Sequence, residues 1–100
     1  MTKLKEYEIR VTAEAETDLN GIYAYLSSYS TDSAKVICQK IEAKMFSLAN
    51  LPKRHRTFYK NLRRLSVADY QIVYIVDKDT VFIKGVFHSA MDIISHLKDR

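Results

Sequence analysis

The chain has 100 residues, 47% of them apolar, with only two glycines and one proline, which excludes a disordered chain and a second domain. Its net charge of +4 is uneven: residues 1–42 hold five basic and seven acidic residues, residues 43–68 seven basic and no acidic ones, and residues 69–100 four basic and five acidic ones. We therefore expect one compact domain over residues 1–100, with its basic charge confined to one segment.

Residues 4–11 predict a half-buried strand, because apolar and charged side chains alternate and bring Tyr7, Ile9 and Val11 to one face. The residues that follow, 13–28, repeat apolar side chains at helical spacing. This pattern predicts an amphipathic helix after the first strand.

Two helices are expected in the first half of the chain. Thr12 can act as the N-cap of the first, and the polar stretch Ser27–Ser30 ends it. A second helix is predicted to open at Thr31 or Asp32 and to end near Asn50, before a proline. Because the link between them is so short, the two helices should form an antiparallel hairpin.

From residue 59 onward the spacing of apolar residues changes from helical to alternating, which predicts a sheet. Strands are expected over Asn61–Val67, Tyr70–Asp77 and Thr80–Phe87, joined by short turns. The second of these strands is apolar on both faces, which is typical of a central strand.

A short C-terminal helix is predicted from about Ala90 to Lys98, because Ser89 and Asp92 have the spacing of a capping box. Three apolar residues would then face the body of the protein: Met91, Ile94 and Leu97. The predicted order is β-α-α-β-β-β-α. The fold class is therefore α+β, with a helical hairpin packed on a twisted, mainly antiparallel sheet.

Cys38 is the only cysteine, which excludes an internal disulfide and a cysteine-built metal site. Its neighbours Ile37 and Ile41 predict a buried helical face. The longest apolar run, Ile72–Val76, is far shorter than a membrane span, and the first residues lack the apolar stretch of a signal peptide. We expect a cytoplasmic protein without membrane contact, metal or cofactor.

The basic segment predicts a surface that meets an anion, with phosphate as the first candidate, because no acidic residue lies between Glu42 and Asp69. The alternative is a solvated basic loop that binds nothing. The candidate binding residues are Lys53, Arg54, His55, Arg56, Lys60, Arg63 and Arg64.

Arg63 and Arg64 are neighbours on a predicted strand, so their side chains point to opposite faces of the sheet. We expect only one of them to face a ligand, and a guanidinium suits phosphate because it forms two parallel hydrogen bonds. The alternative is a carboxylate partner within the chain, for which Glu6, Glu8 or Asp77 could serve.

The histidines are scattered, and the sequence contains no Walker loop, dinucleotide fingerprint, zinc-helix motif or serine elbow. His88 ends the last predicted strand, where its imidazole either meets an anion, acts as acid and base, or has a structural role. His96 has the position of a surface histidine near the end of a helix.

Four pieces of sequence, spread over nearly the whole chain, have a recognisable order and spacing: Ala15-x-x-Asp18-Leu19-x-x-Ile22-x-x-Tyr25-Leu26, Leu48-x-x-x-Pro52, Leu62-Arg63-Arg64-Leu65-x-Val67-x-x-Tyr70-x-Ile72-Val73-Tyr74 and Val86-x-His88. Together they resemble the RelE/ParE superfamily of bacterial toxins. The resemblance implies the α+β fold described above. It also implies a cognate antitoxin, usually acidic and partly disordered, that wraps the toxin and silences it.

The resemblance implies two kinds of target. Ribosome-dependent ribonucleases of the RelE and YoeB type carry an arginine where this chain has Gln71, and further basic or aromatic residues at the C-terminal end, where it keeps only His88. The catalytic candidates under that interpretation are Arg64 and His88. ParE-like members poison DNA gyrase without such a set. The helical hairpin and the Leu-Arg-x-Leu-x-Val strand resemble theirs, although the basic pair that usually follows the terminal histidine is absent.

We therefore predict a type II toxin of this superfamily, nearer the ParE branch, that binds and inhibits DNA gyrase. The alternatives are a ribosome-dependent endoribonuclease that cleaves ribosome-bound mRNA, and a non-toxic module that keeps antitoxin or nucleic-acid binding. The acidic antitoxin is expected to dock on residues 53–64 or the adjoining sheet edge. Of the two arginines, Arg64 is expected to contact the target and Arg63 to be structural.

Overall fold

The computed structural model describes residues 5–97, which form a five-stranded mixed sheet with two long helices on one face. The elements in chain order are β1 (Glu8–Val11), α1 (Ala13–Ser27), α2 (Thr31–Ser47), β2 (Thr57–Tyr59), β3 (Leu62–Val67), β4 (Tyr70–Asp77), β5 (Thr80–His88) and α3 (Ile93–Leu97). The strands lie in the order β1-β5-β4-β3-β2, with β1 parallel to β5 and the other neighbours antiparallel. The predicted α+β class is confirmed.

The central strand, β4, separates two apolar clusters. On one face, Ile72 and Tyr74 are fully buried against α1 and α2, together with residues of β3 and β5. On the other face, Val73 packs with Phe87 and with the small helix α3. Each face of β4 is therefore covered, as its two-sided apolar sequence predicts. None of the helices within residues 5–97 is long and apolar enough to cross a membrane.

The two long helices begin where the sequence predicts. The Thr12 side chain accepts a hydrogen bond from the backbone N–H of Ala15 (3.3 Å), and Ser30 accepts one from the N–H of Ser33 (3.2 Å). These bonds satisfy N–H groups that have no partner within the first helical turn. Cys38 is buried on α2 as expected, and burial raises the pKa of its thiol.

A further strand, β2, was not predicted from the sequence. It has three residues, pairs only with β3 and contains a register shift between Thr57 and Tyr59. So short a segment has too few alternations to be recognised as a strand. At the other end of the chain, β1 begins at Glu8, and Glu6 makes only an isolated bridge to Asn50. Residue 4 of the predicted strand lies outside the described residues.

The predicted capping box at the last helix is wrong. The Ser89 hydroxyl instead donates to the backbone oxygen of Asp69 (2.9 Å), while Asp92 accepts from the backbone N–H of Ser95 (3.4 Å) and caps the helix itself. Helix α3 therefore begins later than predicted, and Met91 precedes it with 40% of its surface exposed. Lys98, the predicted helix end, lies outside the described residues.

Helix α1 is tied to β5 where the sheet has an open side. Strand β1 ends opposite Ile83, so on that side of β5 no strand of the described residues pairs beyond Ile83. The Asp18 carboxylate fills the gap, accepting the backbone N–H of Val86 at 3.0 Å. Thr12 donates its hydroxyl to the backbone oxygen of Ile83 (2.7 Å) at the start of the same helix. These two bonds fix the position of α1 on the sheet.

Replacing Asp18 by alanine should lower the free energy of unfolding by about 1–3 kcal/mol, because the Val86 N–H loses a charged acceptor. Asn20→Ala, an exposed change on the same helix, should not lower it, since alanine has the higher helix propensity. Urea unfolding of both variants measures the difference. Equal stability of the two would contradict the role of Asp18.

Candidate functional site

The basic loop, residues 51–56, follows α2 and leads into β2. Leu51 opens it with a positive φ of 50°, and a short 3-10 turn covers Pro52–Arg54. The backbone oxygen of Pro52 accepts the hydroxyl of Tyr74 at 2.6 Å. Tyr74 is fully buried, and that burial raises the pKa of its phenol to about 12. The phenol therefore stays protonated and donates at every ordinary pH.

Arg63 makes the second attachment of the basic loop. Its guanidinium donates from Nη1 to the backbone oxygen of His55 (2.6 Å) and to that of Lys53 (3.3 Å). Arg63 lies opposite Tyr74 in the pairing of β3 with β4, so both attachments start from adjacent positions of the sheet. We call them together the latch: Tyr74 to Pro52, and Arg63 to Lys53 and His55. The latch gives the basic loop a fixed shape.

The other cations of this region have no carboxylate partner in the part of the chain that the structure describes. The ion pairs within residues 5–97 join Lys5 to Asp79 and Arg10 to Glu8, so neither involves the basic region. The candidate pairing of Arg63 or Arg64 with Glu6, Glu8 or Asp77 is not formed. We define the basic surface as Lys53, Arg54, Arg56, Lys60 and Arg64. Its positive charge is not neutralised within the described residues.

Two cations of the basic surface lie over aromatic rings. The guanidinium carbon of Arg64 is 4.7 Å from the ring centroid of Phe58, and the Lys60 ammonium is 5.3 Å from that of Tyr59. Both rings belong to the edge strand β2. A ring orients the side chain above it but leaves its charge available, so these cations remain able to meet an anion. Arg54 is oriented differently, by donating to the backbone oxygen of Asn50 (2.7 Å).

His55 belongs to the interior of the basic loop rather than to its surface. Its Nε2 atom is buried and has no hydrogen-bond partner among residues 5–97, and its ring lies edge-on to Tyr74, with centroids 6.5 Å apart. Burial lowers the pKa of the imidazole, and the charges of Arg54 and Lys44 lower it further. His55 therefore favours its neutral form and does not add a cation to the basic surface.

Arg64 and His88, the two catalytic candidates, lie on opposite faces of the sheet. Arg64 pairs with Val73, so it shares the face that α3 covers. His88 pairs with Tyr70, whose face carries the long helices, and the two rings are edge-on at 5.5 Å. The structure therefore does not bring the candidate cation and the candidate acid–base group together.

A hydrogen bond fixes the tautomer of His88. The backbone N–H of Ala90 donates to its Nδ1 atom at 3.1 Å, so the proton of the neutral imidazole is on Nε2. The lone pair that a general base would use is therefore occupied. In this neutral tautomer the other ring nitrogen of His88, Nε2, carries the proton and is a hydrogen-bond donor.

Gln71 lies on the same face as Arg64, opposite Ser66 in β3 and Phe87 in β5. Its side-chain carbonyl oxygen is buried, and no described residue forms a hydrogen bond to it. The neutral amide provides no charge at the position where the resemblance implies a ribonuclease arginine. Within residues 5–97, no cluster of three His, Cys, Asp or Glu side chains could hold a metal ion.

The sequence interpretation missed a groove of about 800 Å³ between α1 and the carboxyl end of β5. Apolar side chains of both long helices and of β5 form its walls: Ile22, Leu26, Ile37, Val86 and Phe87. Tyr25, Tyr70 and His88 add polar atoms. The sequence signal that could have indicated the groove is Gly21, a glycine in the middle of a helical pattern that lines it.

A family model described as the ParE toxin of the type II toxin-antitoxin system parDE matches residues 9–93. The chain therefore belongs to the ParE toxin family. A comparison with curated protein sequences finds no match.

Three solved structures have the same fold. The chromosomal ParDE system of P. aeruginosa matches with a TM-score of 0.72 and 17% identity, over 84% of this chain and 97% of that one. The RelBE2 toxin-antitoxin complex of Mycobacterium tuberculosis matches with a TM-score of 0.66 and 20% identity, over 91% of this chain and 100% of that one. A mutant of the E. coli toxin RelE in the free state matches with a TM-score of 0.67 and 14% identity, over 94% of this chain and 97% of that one. At these identities the likeness establishes the fold.

Replacing Tyr74 by phenylalanine should lower the free energy of unfolding by about 1–3 kcal/mol, because the buried oxygen of Pro52 loses its donor. Tyr59→Phe is the matched control, since the Tyr59 hydroxyl makes no hydrogen bond to the described residues, and it should change stability by less than about 0.5 kcal/mol. Denaturant titration measures both. A neutral Tyr74→Phe change would show that this half of the latch does not stabilise the loop.

His55 should make stability fall as the solution becomes acidic. Its pKa in the folded protein is below the ordinary value of 6.5, so the unfolded chain binds the proton more readily. The free energy of unfolding should therefore decrease as pH drops through about 6.5, and His55→Gln should reduce that decrease. Equal pH profiles for the wild type and His55→Gln would exclude this role.

Proposed function

We propose that this ParE-family chain is the toxin of a type II toxin-antitoxin pair and inhibits DNA gyrase by binding to it. The cognate antitoxin would silence it by covering the surfaces that bind the target. The observation that carries the choice of target is the position of Arg64 and His88 on opposite faces of the sheet. A cytoplasmic location, where gyrase acts, is part of the same proposal.

An endoribonuclease needs several groups around one phosphate. Attack by the ribose 2′-hydroxyl requires a base, an acid and positive charge on the phosphate oxygens, all within hydrogen-bond reach. In this chain the sheet lies between Arg64 and His88, and the Nδ1 lone pair of His88 is taken by Ala90. Gln71 adds no charge. These features favour inhibition by binding over catalysis.

The basic surface supports binding to an anionic partner. Its cations have no carboxylate partner among residues 5–97, and the latch fixes the loop that carries Lys53, Arg54 and Arg56. A surface held in one shape before binding loses less conformational entropy when a partner arrives. We propose that an acidic segment of the antitoxin docks here, because opposite charges steer association and the partner can fold on contact.

The endoribonuclease remains the second candidate, because cations stacked on Phe58 and Tyr59 also suit single-stranded RNA. A non-toxic binding module is the third. The endoribonuclease does not explain why the candidate catalytic groups lie on opposite faces of the sheet, and the clustered cations suit any module that binds an anionic partner. A gyrase-binding toxin accounts for both features.

The target is tested by two assays run side by side: supercoiling by purified gyrase, and mRNA cleavage on translating ribosomes. We expect the protein to inhibit supercoiling without cleaving mRNA. Gln71→Arg should not create cleavage, although one preorganised donor can be worth about 10²–10³ in rate, because His88 stays on the other face. Cleavage that depends on His88, with gyrase unaffected, would establish the second candidate instead.

Two neighbouring variants serve as matched controls in the gyrase assay. Arg64→Ala should weaken inhibition with little loss of thermal stability, because the side chain projects over Phe58 and bonds to no carbonyl. Arg63→Ala should chiefly destabilise the protein, because it breaks half of the latch. Inactivity of the unmodified protein in both assays would support the non-toxic module.

A further inference from the structure

In the proposed function an acidic segment of the antitoxin covers the basic surface, which silences the toxin only if the target uses that surface too. We infer that the basic surface binds the sugar–phosphate backbone of DNA, so that the toxin contacts the DNA on which gyrase acts as well as the enzyme. This inference rests on the proposed function, because it names what the basic surface meets at the target.

The density of charge is the first observation that carries the inference. Six of the twelve residues from 53 to 64 are lysine or arginine, and none of the twelve is acidic. Every side chain of the basic surface is exposed. These cations are carried by one loop, one turn and one strand at the β2 end of the sheet. Positive charge gathered in this way attracts a polyanion before any contact is made.

The aromatic rings beneath two of the cations are the second observation. Arg64 lies over Phe58 and Lys60 lies over Tyr59, so cations and rings are interleaved along the edge strand β2. A guanidinium stacked on a ring keeps its N–H groups at the border of the stack, where two of them can bond to one phosphate. Cations interleaved with aromatic rings are typical of surfaces that follow a nucleic-acid backbone.

The size of the basic surface matches a short run of phosphates. From Lys60 to Arg64 the extended chain covers about 13 Å. Phosphates of one strand of duplex DNA are about 3.4 Å apart along the helix axis, so this length spans about four of them. The latch holds the loop cations beside this row in one arrangement. Little conformational entropy is therefore lost when they bind.

The even charge of DNA fits this surface better than the charge of an acidic peptide. A nucleic acid carries one negative charge per nucleotide whatever its sequence, so each exposed cation can meet a phosphate. An extended peptide offers carboxylates only where its sequence places them, and alternate side chains face away from the surface. The acidic antitoxin segment would bind the same cations and displace the DNA. The antitoxin would then silence the toxin by competition.

DNA binding by the toxin alone provides the test. A fluorescently labelled DNA of about 20 nucleotides is titrated with the purified toxin from about 0.05 to 0.3 M NaCl, with anisotropy as the measurement. The DNA is single-stranded in one arm and duplex in the other, which shows the form of DNA that the surface accepts. A single-stranded RNA of the same sequence and a polyglutamate of the same charge are titrated in parallel.

We expect a dissociation constant of about 1–100 μM near 0.15 M salt, the range of sequence-independent binding. Plotted logarithmically, the association constant for the duplex should fall with salt concentration with a slope of about −3 to −5, because each phosphate contact contributes about −0.9. This slope is measured on the wild type and does not depend on the folding of any variant.

Two double variants with equal net charge locate the contact. Lys60→Glu, Arg64→Glu should weaken DNA binding at least about tenfold and make the salt slope shallower by about two. Lys35→Glu, Lys40→Glu makes the same change of net charge at exposed positions of α2 and should weaken binding less than about threefold. Thermal melting checks the fold of both.

An affinity that does not depend on salt, or equal losses in the two double variants, would overturn the inference. Polyglutamate that binds as tightly as DNA would also overturn it, since the surface would then serve acidic proteins. Tighter binding of the RNA would overturn it in favour of an RNA target.

DNA binding is measured without gyrase, so the inference and the gyrase proposal can fail separately. A toxin that binds DNA through Lys60 and Arg64 but leaves supercoiling unaffected would contradict the gyrase proposal and keep the DNA site. If the Lys60→Glu, Arg64→Glu variant inhibited supercoiling as the wild type does, the inference would be overturned and the gyrase proposal would stand.

Discussion

The latch between the sheet and the basic loop is the interaction on which the candidate binding surface depends. Tyr74 and Arg63 sit opposite each other on β4 and β3, and both donate to backbone oxygens of the loop. Without these donors the loop would present its cations in many arrangements, and the buried oxygen of Pro52 would be left unpaired. The sheet interior thus determines the shape of a surface that is almost entirely basic. Because Arg63 is used in the latch, Arg64 is the one of these two neighbouring arginines that remains available to a partner.

The division of the sheet into two faces determines what the remaining polar groups can do. A bulge in β5 places Val73 opposite Gly85 and Tyr74 opposite Ile83, so alternation in β5 changes phase at Lys84. After the bulge, His88 lies on the helix face and Phe87 on the α3 face. Without it, His88 would share the face of Arg64. The bulge therefore separates the two candidate catalytic groups and brings His88 to the groove.

Periodicity predicted most of the fold, because the long helices and the strands from Leu62 onward each span enough residues to display their period. It missed β2, which is too short, and misassigned Ser89, whose hydroxyl bonds to Asp69 across the sheet rather than to its own helix. The alternation of side chains along a strand predicted that Arg63 and Arg64 point to opposite faces of the sheet. It could not assign their partners, the phase change in β5 or the groove, because all three depend on which distant residues the register brings together.

Amide hydrogen exchange of the toxin tests the central claim most directly, because it reports whether the latch holds the basic loop in place. The Arg54 N–H bonds to the backbone oxygen of Leu51 within the loop, and β2 pairs with β3 directly after it. In Arg63→Ala these amides should exchange faster, while those of β4 and β5 remain protected and Arg64→Ala behaves as the wild type. Unchanged exchange at Arg54 and in β2 of a folded Arg63→Ala protein would contradict the account.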